Sequence, residues 1–127
     1  IFHSAINDGH YDCFVRSDTR LPMLYMEDAI RATISLMDAP SDTLGKSRAG
    51  YNIDCLSFSA KELADSISKR VNNFTCDYVP DVRQEYADSW PDSVDDSAAQ
   101  QDWGWNAEYD LDALCDAMIS GLQSSSI

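Results

Sequence analysis

Trp90 is the side chain whose type and setting could best form part of a ligand-binding pocket. It stands between Ser89 and Pro91, in a stretch with no clear helical or strand period. A rigid aromatic ring in an irregular segment can wall a pocket, because loops carry many binding residues while regular elements position them. Packing into the core is the other interpretation of Trp90, and the residue alone leaves both open.

Two acidic residues that follow, Asp95 and Asp96, could bind a hard cation or cap a helix. Capping is favoured, because a carboxylate accepts hydrogen bonds from the free backbone N–H groups of a helix that opens just after them. Gly104 then stands where a helix commonly ends in a left-handed residue. We expect at least one of the flanking tryptophans, Trp103 and Trp105, to pack this short helix against a larger body.

The sequence lacks the patterns that hold a dinucleotide or transfer a proton. Its five glycines show no G-x-G-x-x-G spacing, which lets backbone approach a pyrophosphate at a helix N-terminus, and they form no P-loop. None of its six tyrosines is followed four positions later by a lysine, whose ammonium would lower the pKa of the phenol. We therefore expect no catalytic and no cofactor-binding residue within these positions.

The cysteines do not form a metal-binding or redox motif. They contain no C-x-x-C pair, and only two histidines, His3 and His10, could supplement them, so no zinc site and no cysteine nucleophile are predicted. For both histidines, surface or packing roles are favoured over catalysis. A chain this apolar needs no disulfide bonds to fold, so we expect reduced thiols in a reducing compartment. The four cysteines are Cys13, Cys55, Cys76 and Cys115.

Helical and strand-like stretches alternate along the chain, which predicts an α/β fold of short strands and helices. An apolar helical face begins at Ile1 without a cap and ends at Gly9, which suggests that more protein precedes it. Ser59 and Glu62 have the spacing of a capping box. The helix predicted near 28–37 has so many apolar positions that we expect burial on much of its surface. Strands are predicted at 11–15, 21–26, 50–53 and 74–79, and further helices at 59–71, 81–88, 97–103 and 110–122.

Length and composition indicate one acidic domain or a part of one. The 127 residues are 44% hydrophobic, which is enough to form a core. Twenty-two acidic against nine basic residues give a net charge of −13, which repels nucleic acid and anionic membranes. We expect a well-solvated acidic surface, with adaptation to high salt as the alternative. The sequence shows no signal peptide and no apolar run of bilayer length, so neither export nor membrane insertion is predicted.

Four segments, in order, resemble the C-terminal half of the short-chain L-threonine 3-dehydrogenases, a branch of the extended short-chain dehydrogenase/reductases. The most specific is Arg83-Gln84 followed by Ala87-Asp88-Ser89-Trp90-Pro91. Another ends in Trp103-Gly104-Trp105, where the extended family has Leu-Gly-Trp. The resemblance covers nearly the whole chain. The four segments lie within 18–28, 51–64, 83–91 and 95–105.

The resemblance implies that residues 1–127 form one C-terminal substrate-binding lobe. An upstream Rossmann half, which is not in this sequence, would bind NAD and supply the catalytic Tyr and Lys. The intact protein would oxidise L-threonine to 2-amino-3-oxobutanoate without a metal, and this portion alone would have little activity. The resemblance also suggests a homodimer, located in the cytoplasm or, in a eukaryote, in the mitochondrial matrix.

For the binding site, the resemblance implies that Trp90 closes over the substrate, with Ser89 and Asp88 beside it. Relatives that bind sugar nucleotides hold diphosphate with an Arg-x-Gly-Asp segment at about this place. A carboxylate in place of that cation would repel a diphosphate but not a small zwitterion such as threonine. The alternatives are the lobe of a sugar-nucleotide epimerase or dehydratase, and a non-catalytic acidic interaction module.

Overall fold

The computed structural model describes residues 1–46, 50–53 and 56–124, and within these ranges it confirms the predicted α/β class. Short strands and helices follow one another along the chain, and most lie within a few residues of the predicted bounds. The elements are α1 (Phe2–Asn7), β1 (His10–Cys13), β2 (Arg20–Met23), α2 (Met26–Asp38), β3 (Leu56–Ser59), α3 (Ala60–Ser68), β4 (Thr75–Tyr78), α4 (Arg83–Asp88), α5 (Ser97–Trp103) and α6 (Leu111–Ser124).

The described strands form two separate two-stranded sheets. β1 and β4 run parallel, with His10 opposite Thr75. β2 and β3 run antiparallel, with Pro22 opposite Ser57. In a two-stranded sheet each strand is an edge, so β2 tolerates a proline, which has no N–H to donate to a second neighbour. Pro22 therefore fits its place in β2.

One strand prediction is wrong. Residues 50–53 have the composition of a strand but adopt irregular backbone, and Tyr51 and Ile53 use their side chains to pack against a tryptophan cluster instead. The strand that pairs with β2 lies slightly later, at Leu56–Ser59, and was not predicted. Its last residue, Ser59, is also the N-cap of α3, so a strand passes directly into a capped helix.

The larger core lies where α1, α3 and α6 meet. Ala5, Ile67 and Cys115 are almost completely buried there, and Phe74, just before β4, closes the cluster. α3 and α6 are also joined at the surface by Arg70, whose guanidinium donates to the carboxylates of two α6 aspartates. Because α1 supplies Ala5, the helical face predicted at the start of the chain is part of this core.

A second core forms around the end of α5. Trp105 is 3% exposed and packs with Ala32 of α2 and Ala99 of α5, while Trp103 packs against the same cluster. Gly104 separates the two tryptophans with φ of 74°, in the left-handed region where glycine is favoured over residues with a Cβ. The predicted glycine stop and the packing of the tryptophans that flank it are therefore confirmed.

Helix α2 corrects a prediction about burial. The sequence predicts that much of its surface is buried, but Ala32 and Asp28 are its only buried residues. Ile30 and Ile34 are more than half exposed and Met37 is 79% exposed, so these side chains form an apolar stripe on the outside of the helix. The expectation fails because one face of α2 packs on the second core and no described residue covers the other.

No helix in the described ranges is long and apolar enough to cross a membrane. The longest, α6, has 14 residues, whereas a membrane-spanning helix needs about 20 apolar ones.

Candidate functional site

Trp90 lies at the surface, just beyond the C-terminal end of α4. Its backbone N–H donates to the carbonyl of Ala87 at 3.1 Å. This hydrogen bond continues the last turn of the helix and fixes the backbone position of Trp90. The residue is 60% exposed. The indole is therefore not packed in either core of this chain, in agreement with the pocket interpretation of Trp90.

Two cavities meet at this indole. The first is polar, has a volume of about 190 Å³ and lies between α4 and the loop that joins β1 to β2. The second is apolar, about 420 Å³, and lies over β2. The polar cavity is lined by Arg16, Asp18, Thr19, Arg20, Ala87, Asp88, Trp90 and Asp92. The apolar cavity is lined by Phe14, Val15, Leu21, Pro22, Met23, Arg83, Tyr86, Ala87 and Trp90.

Asp88 points into the polar cavity but its carboxylate is already engaged. Arg16 donates to both of its oxygens, at 2.8 and 3.3 Å, and the side-chain amide of Gln84 donates to one of them at 2.6 Å. The Arg16 and Gln84 hydrogen bonds hold the pKa of Asp88 below its usual value. The carboxylate is thus an ion-paired part of the wall rather than an isolated negative charge.

Ser89 has a structural partner of its own. Its hydroxyl donates to the carbonyl of Tyr86 at 2.7 Å, and the same carbonyl accepts from the Ser89 backbone N–H at 3.1 Å in the last turn of α4. Of the three residues predicted to bind substrate, the structure thus places Asp88 and Trp90 on one cavity and uses Ser89 to end the helix that carries them.

Gln84 and Arg16 are the residues of this site that the sequence reading missed. Gln84 is 6% exposed and also accepts a hydrogen bond from the backbone N–H of Arg16 at 2.7 Å. Its amide exchanges hydrogen bonds with the Thr19 hydroxyl as well. The signal was a polar loop at 16–20 together with a glutamine on a short helix. Those positions are about 65 residues apart, so only the fold could bring them together.

The polar cavity carries charges of both signs. Arg16 and Arg20 face it with Asp18, Asp88 and Asp92. Arg20 is engaged with the Glu62 carboxylate at 2.7 Å and with the carbonyl of Ser57. Both guanidinium groups therefore already have carboxylate partners, and the cavity is not a cationic site prepared for a diphosphate.

Of the two acidic residues before α5, Asp95 caps the helix with its carboxylate and Asp96 does not. An Asp95 oxygen accepts a hydrogen bond from the backbone N–H of Ser97 at 3.0 Å, as predicted. Asp96 stands at the N-cap of α5, but its carboxylate accepts from the side chain of Gln100 at 2.6 Å instead of from the backbone. The helix thus begins with both carboxylates occupied by protein donors.

The described cysteines are free thiols, as predicted. Cys13 and Cys115 are buried, and burial raises the pKa of the Cys115 and Cys76 thiols. A thiol with a raised pKa is largely protonated near neutral pH and is a poor nucleophile. Cys55, the fourth, lies outside the described residues.

Known proteins similar to this chain carry two kinds of name, L-threonine 3-dehydrogenase and uncharacterised epimerase/dehydratase. No family profile matches the sequence. The mitochondrial L-threonine 3-dehydrogenase of Bos taurus is 45% identical over 121 residues, which are 94% of this chain and 32% of that protein. An uncharacterised epimerase/dehydratase of Staphylococcus haemolyticus is 40% identical over 124 residues, 97% of this chain and 39% of that protein.

A solved structure agrees with the sequence relatives. The L-threonine dehydrogenase of Phytophthora infestans superposes with a TM-score of 0.93 at 43% identity, covering 98% of this chain and 40% of that one. The chain therefore spans about a third to two fifths of the length of these relatives. The resemblance described from the sequence is confirmed: over nearly its whole length, the chain is similar in sequence and in fold to part of the extended short-chain L-threonine 3-dehydrogenases, consistent with a C-terminal portion.

Proposed function

We propose that this chain is the substrate-side lobe of an NAD-dependent L-threonine 3-dehydrogenase that yields 2-amino-3-oxobutanoate. The observation that carries the proposal is the position of Trp90, an exposed indole at the meeting point of a small polar cavity and an apolar one. The Rossmann half that binds NAD and supplies the Tyr and Lys would belong to the rest of the protein. NAD would accept the hydride from the β-carbon of threonine.

The size and charge of the polar cavity support an amino-acid substrate. Its volume of about 190 Å³ is below the roughly 300–1,000 Å³ of sites for drug-sized ligands. A zwitterion presents an ammonium and a carboxylate, and the wall offers carboxylates and guanidinium groups close together. The neighbouring apolar cavity, bordered by Tyr86 and Met23, would exclude water when the indole covers the substrate.

A sugar-nucleotide substrate is the second candidate, because several relatives are named epimerase/dehydratase. The sequence argument against it was that Asp88 would repel a diphosphate. That argument is weaker in the folded chain, since Arg16 compensates the charge of Asp88. What still favours threonine is that the cavity is small and that its two arginines face three aspartates, so it has no excess positive charge to hold a diphosphate.

The direct test is threonine-dependent NAD reduction by the full-length protein that carries this sequence. Trp90→Ala should lower kcat/KM by at least about tenfold, equivalent to about 1.4 kcal/mol of transition-state stabilisation. Trp90→Phe should retain part of the activity because a ring remains. Met37→Ala removes an apolar side chain that is even more exposed than Trp90 and lines neither cavity, and should leave kcat/KM unchanged. An unchanged value in Trp90→Ala would refute the role of the indole.

A separate measurement tests whether NAD binding belongs to the rest of the protein. Calorimetric titration of the 127-residue chain with NAD should show no micromolar binding, because the sequence has no glycine-rich phosphate loop. A thermal shift of the full-length protein with UDP would instead favour the sugar-nucleotide candidate. The proposed homodimer can be read from the mass of the full-length protein in solution.

A further inference from the structure

Three side chains of the parallel sheet formed by β1 and β4 lie close together. They take no part in the proposed substrate site. His10 and Asp12 are two residues apart on β1 and therefore point to the same face, and Asp77 lies on β4. The Nε2 atom of His10 is 3.1 Å from an Asp12 oxygen and 3.9 Å from an Asp77 oxygen. One imidazole nitrogen and two carboxylate oxygens thus lie within 4.8 Å of one another.

The strand register makes this arrangement electrostatically unfavourable without a cation. Asp12 and Asp77 are direct partners across the two strands. Like charges directly opposite each other destabilise a sheet. The chain already carries a net charge of −13, so distant groups do not relieve the repulsion. A positive charge between the two carboxylates would convert it into attraction.

Thr75 sets the orientation of the imidazole. Its hydroxyl lies 2.9 Å from Nδ1 of His10, so Nε2 faces the two carboxylates. When Nδ1 carries the proton and donates it to Thr75, Nε2 has a free lone pair. Holding one ring nitrogen with a protein group so that the other can bind is the usual way a metal-binding histidine is fixed.

We propose that His10, Asp12 and Asp77 form a binding site for a divalent transition-metal ion, with Zn²⁺ as the expected occupant. A mixed set of imidazole and carboxylate ligands suits Zn²⁺ and similar ions. Ligand bonds of about 2.0–2.2 Å require ligand atoms about 3–3.5 Å apart. The three side chains are 43%, 69% and 76% exposed, so they can rotate by the distance needed.

This site contains no cysteine, whereas the zinc site considered in the sequence analysis would have used cysteine ligands. It was missed because Asp77 is 65 positions from Asp12, and only the pairing of β1 with β4 brings them together. The competing occupant is a proton on Nε2, donated to Asp12 at 3.1 Å. Metal and proton would bind the same lone pair and therefore exclude each other.

The test is a titration of the untagged protein with ZnCl₂, followed by long-range ¹H–¹⁵N spectra of the imidazoles and by calorimetry. We expect saturable binding of one ion and a shift of the His10 Nε2 resonance. His10→Ala and Asp77→Asn should each weaken Zn²⁺ binding by at least tenfold. His3→Ala is the matched control, since it removes the only other histidine of the sequence and should not change the affinity.

A folding defect can be told apart from a lost ligand. Asp77→Asn removes one of two facing charges, so without metal the melting temperature of this variant should equal or exceed that of the unchanged protein. Added Zn²⁺ should raise the melting temperature of the unchanged protein but not that of Asp77→Asn. Zn²⁺ binding that survives His10→Ala, or that is absent from the unchanged protein, would overturn the proposal and leave the proton as the occupant. Neither result bears on the proposed dehydrogenase role.

Discussion

Asp28 is the most deeply buried acidic residue in the described ranges. Its carboxylate, 1% exposed at the start of α2, accepts hydrogen bonds from the backbone N–H groups of Glu108 and Tyr109, at 3.1–3.2 Å. Arg31 donates to it at 2.5 Å. Burial by itself would raise the pKa of Asp28, but the Arg31 and backbone donors outweigh it and hold the pKa below its usual value. One carboxylate thus attaches the segment before α6 to α2.

Replacing Asp28 with asparagine should therefore be strongly destabilising. The amide keeps one acceptor oxygen but loses the charge that Arg31 and the two backbone donors require, and a broken buried hydrogen-bonded ion pair typically costs about 3–5 kcal/mol. Because Arg31 is about one third exposed, we expect about 2–3 kcal/mol. Urea unfolding of Asp28→Asn measures the loss. Asp38→Asn, at the exposed end of the same helix, should stay within about 0.5 kcal/mol, and equal losses in both variants would contradict the argument.

For single residues, the sequence predicts the local setting of a side chain better than its interaction partners. It indicates that Trp90 stands in an irregular segment, and the structure has it exposed beside two cavities. It does not indicate that Arg16 would pair with Asp88, because 72 positions separate them and the pairing depends on how α4 packs against the β1–β2 loop. Buried Asp28 was not singled out either, since an acidic residue in the first turn of a helix is ordinarily solvated.

Helix α3 shows how local sequence signals determine an element. The Ser59 hydroxyl accepts from the backbone N–H of Glu62 at 3.1 Å, and the Glu62 carboxylate accepts from the backbone N–H of Ser59 at 2.7 Å. This reciprocal capping box was predicted from spacing alone. The Ser59 backbone hydrogen bond and the Arg20 guanidinium hold the pKa of Glu62 below its usual value. The box also links α3 to β2 through Arg20.

Ser59→Ala should lower the free energy of unfolding by about 1 kcal/mol, because one backbone N–H at the start of α3 loses its acceptor. The measurement is again urea unfolding, at neutral pH. Ser93→Ala makes the same chemical change at an exposed position of irregular backbone and should have an effect within about 0.5 kcal/mol. A loss in Ser59→Ala no larger than in Ser93→Ala would mean that packing alone holds this helix.

Element prediction failed where long-range pairing decides the outcome. The run at 50–53 satisfies the composition of a strand, but its backbone is irregular and Tyr51 packs edge-on against Trp103, with ring centroids 6.0 Å apart. The apolar positions of α2 predict burial, yet a helical pattern does not specify which faces find a partner. Capping boxes and glycine stops were predicted correctly because their partners are three or four residues away.

Across the whole molecule, the arginines of the described ranges are placed so that each holds a carboxylate. All five arginines in the described ranges make ion pairs, although acidic residues outnumber basic ones by 22 to nine. Hydrogen bonds from arginines or from the backbone lower the pKa of many of these acids, and the unfolded chain would lose those contacts. The carboxyls with lowered pKa are Asp28, Glu62, Asp81, Asp88, Asp95, Asp112 and Asp116.

The protein should therefore unfold in acid. A carboxyl whose pKa is lower in the folded state stabilises that state above its unfolded pKa of about 4, and the contribution is lost as the pH falls through the folded value. Between these values the unfolded chain binds more protons, so the free energy of unfolding decreases. We expect a nearly constant urea midpoint from about pH 7 to about pH 5 and a steep fall below about pH 4.

Measurements in about 0.15 M NaCl limit the opposing effect, since distant repulsion among the acids is then screened beyond about 8 Å. If that repulsion dominated, neutralising the acids would raise the urea midpoint between about pH 5 and pH 4, the opposite of the expected change. Asp28→Asn gives the decisive comparison. It removes the most buried of the shifted carboxyls, so its free energy of unfolding should start lower at neutral pH and fall less steeply in acid than that of the unchanged protein.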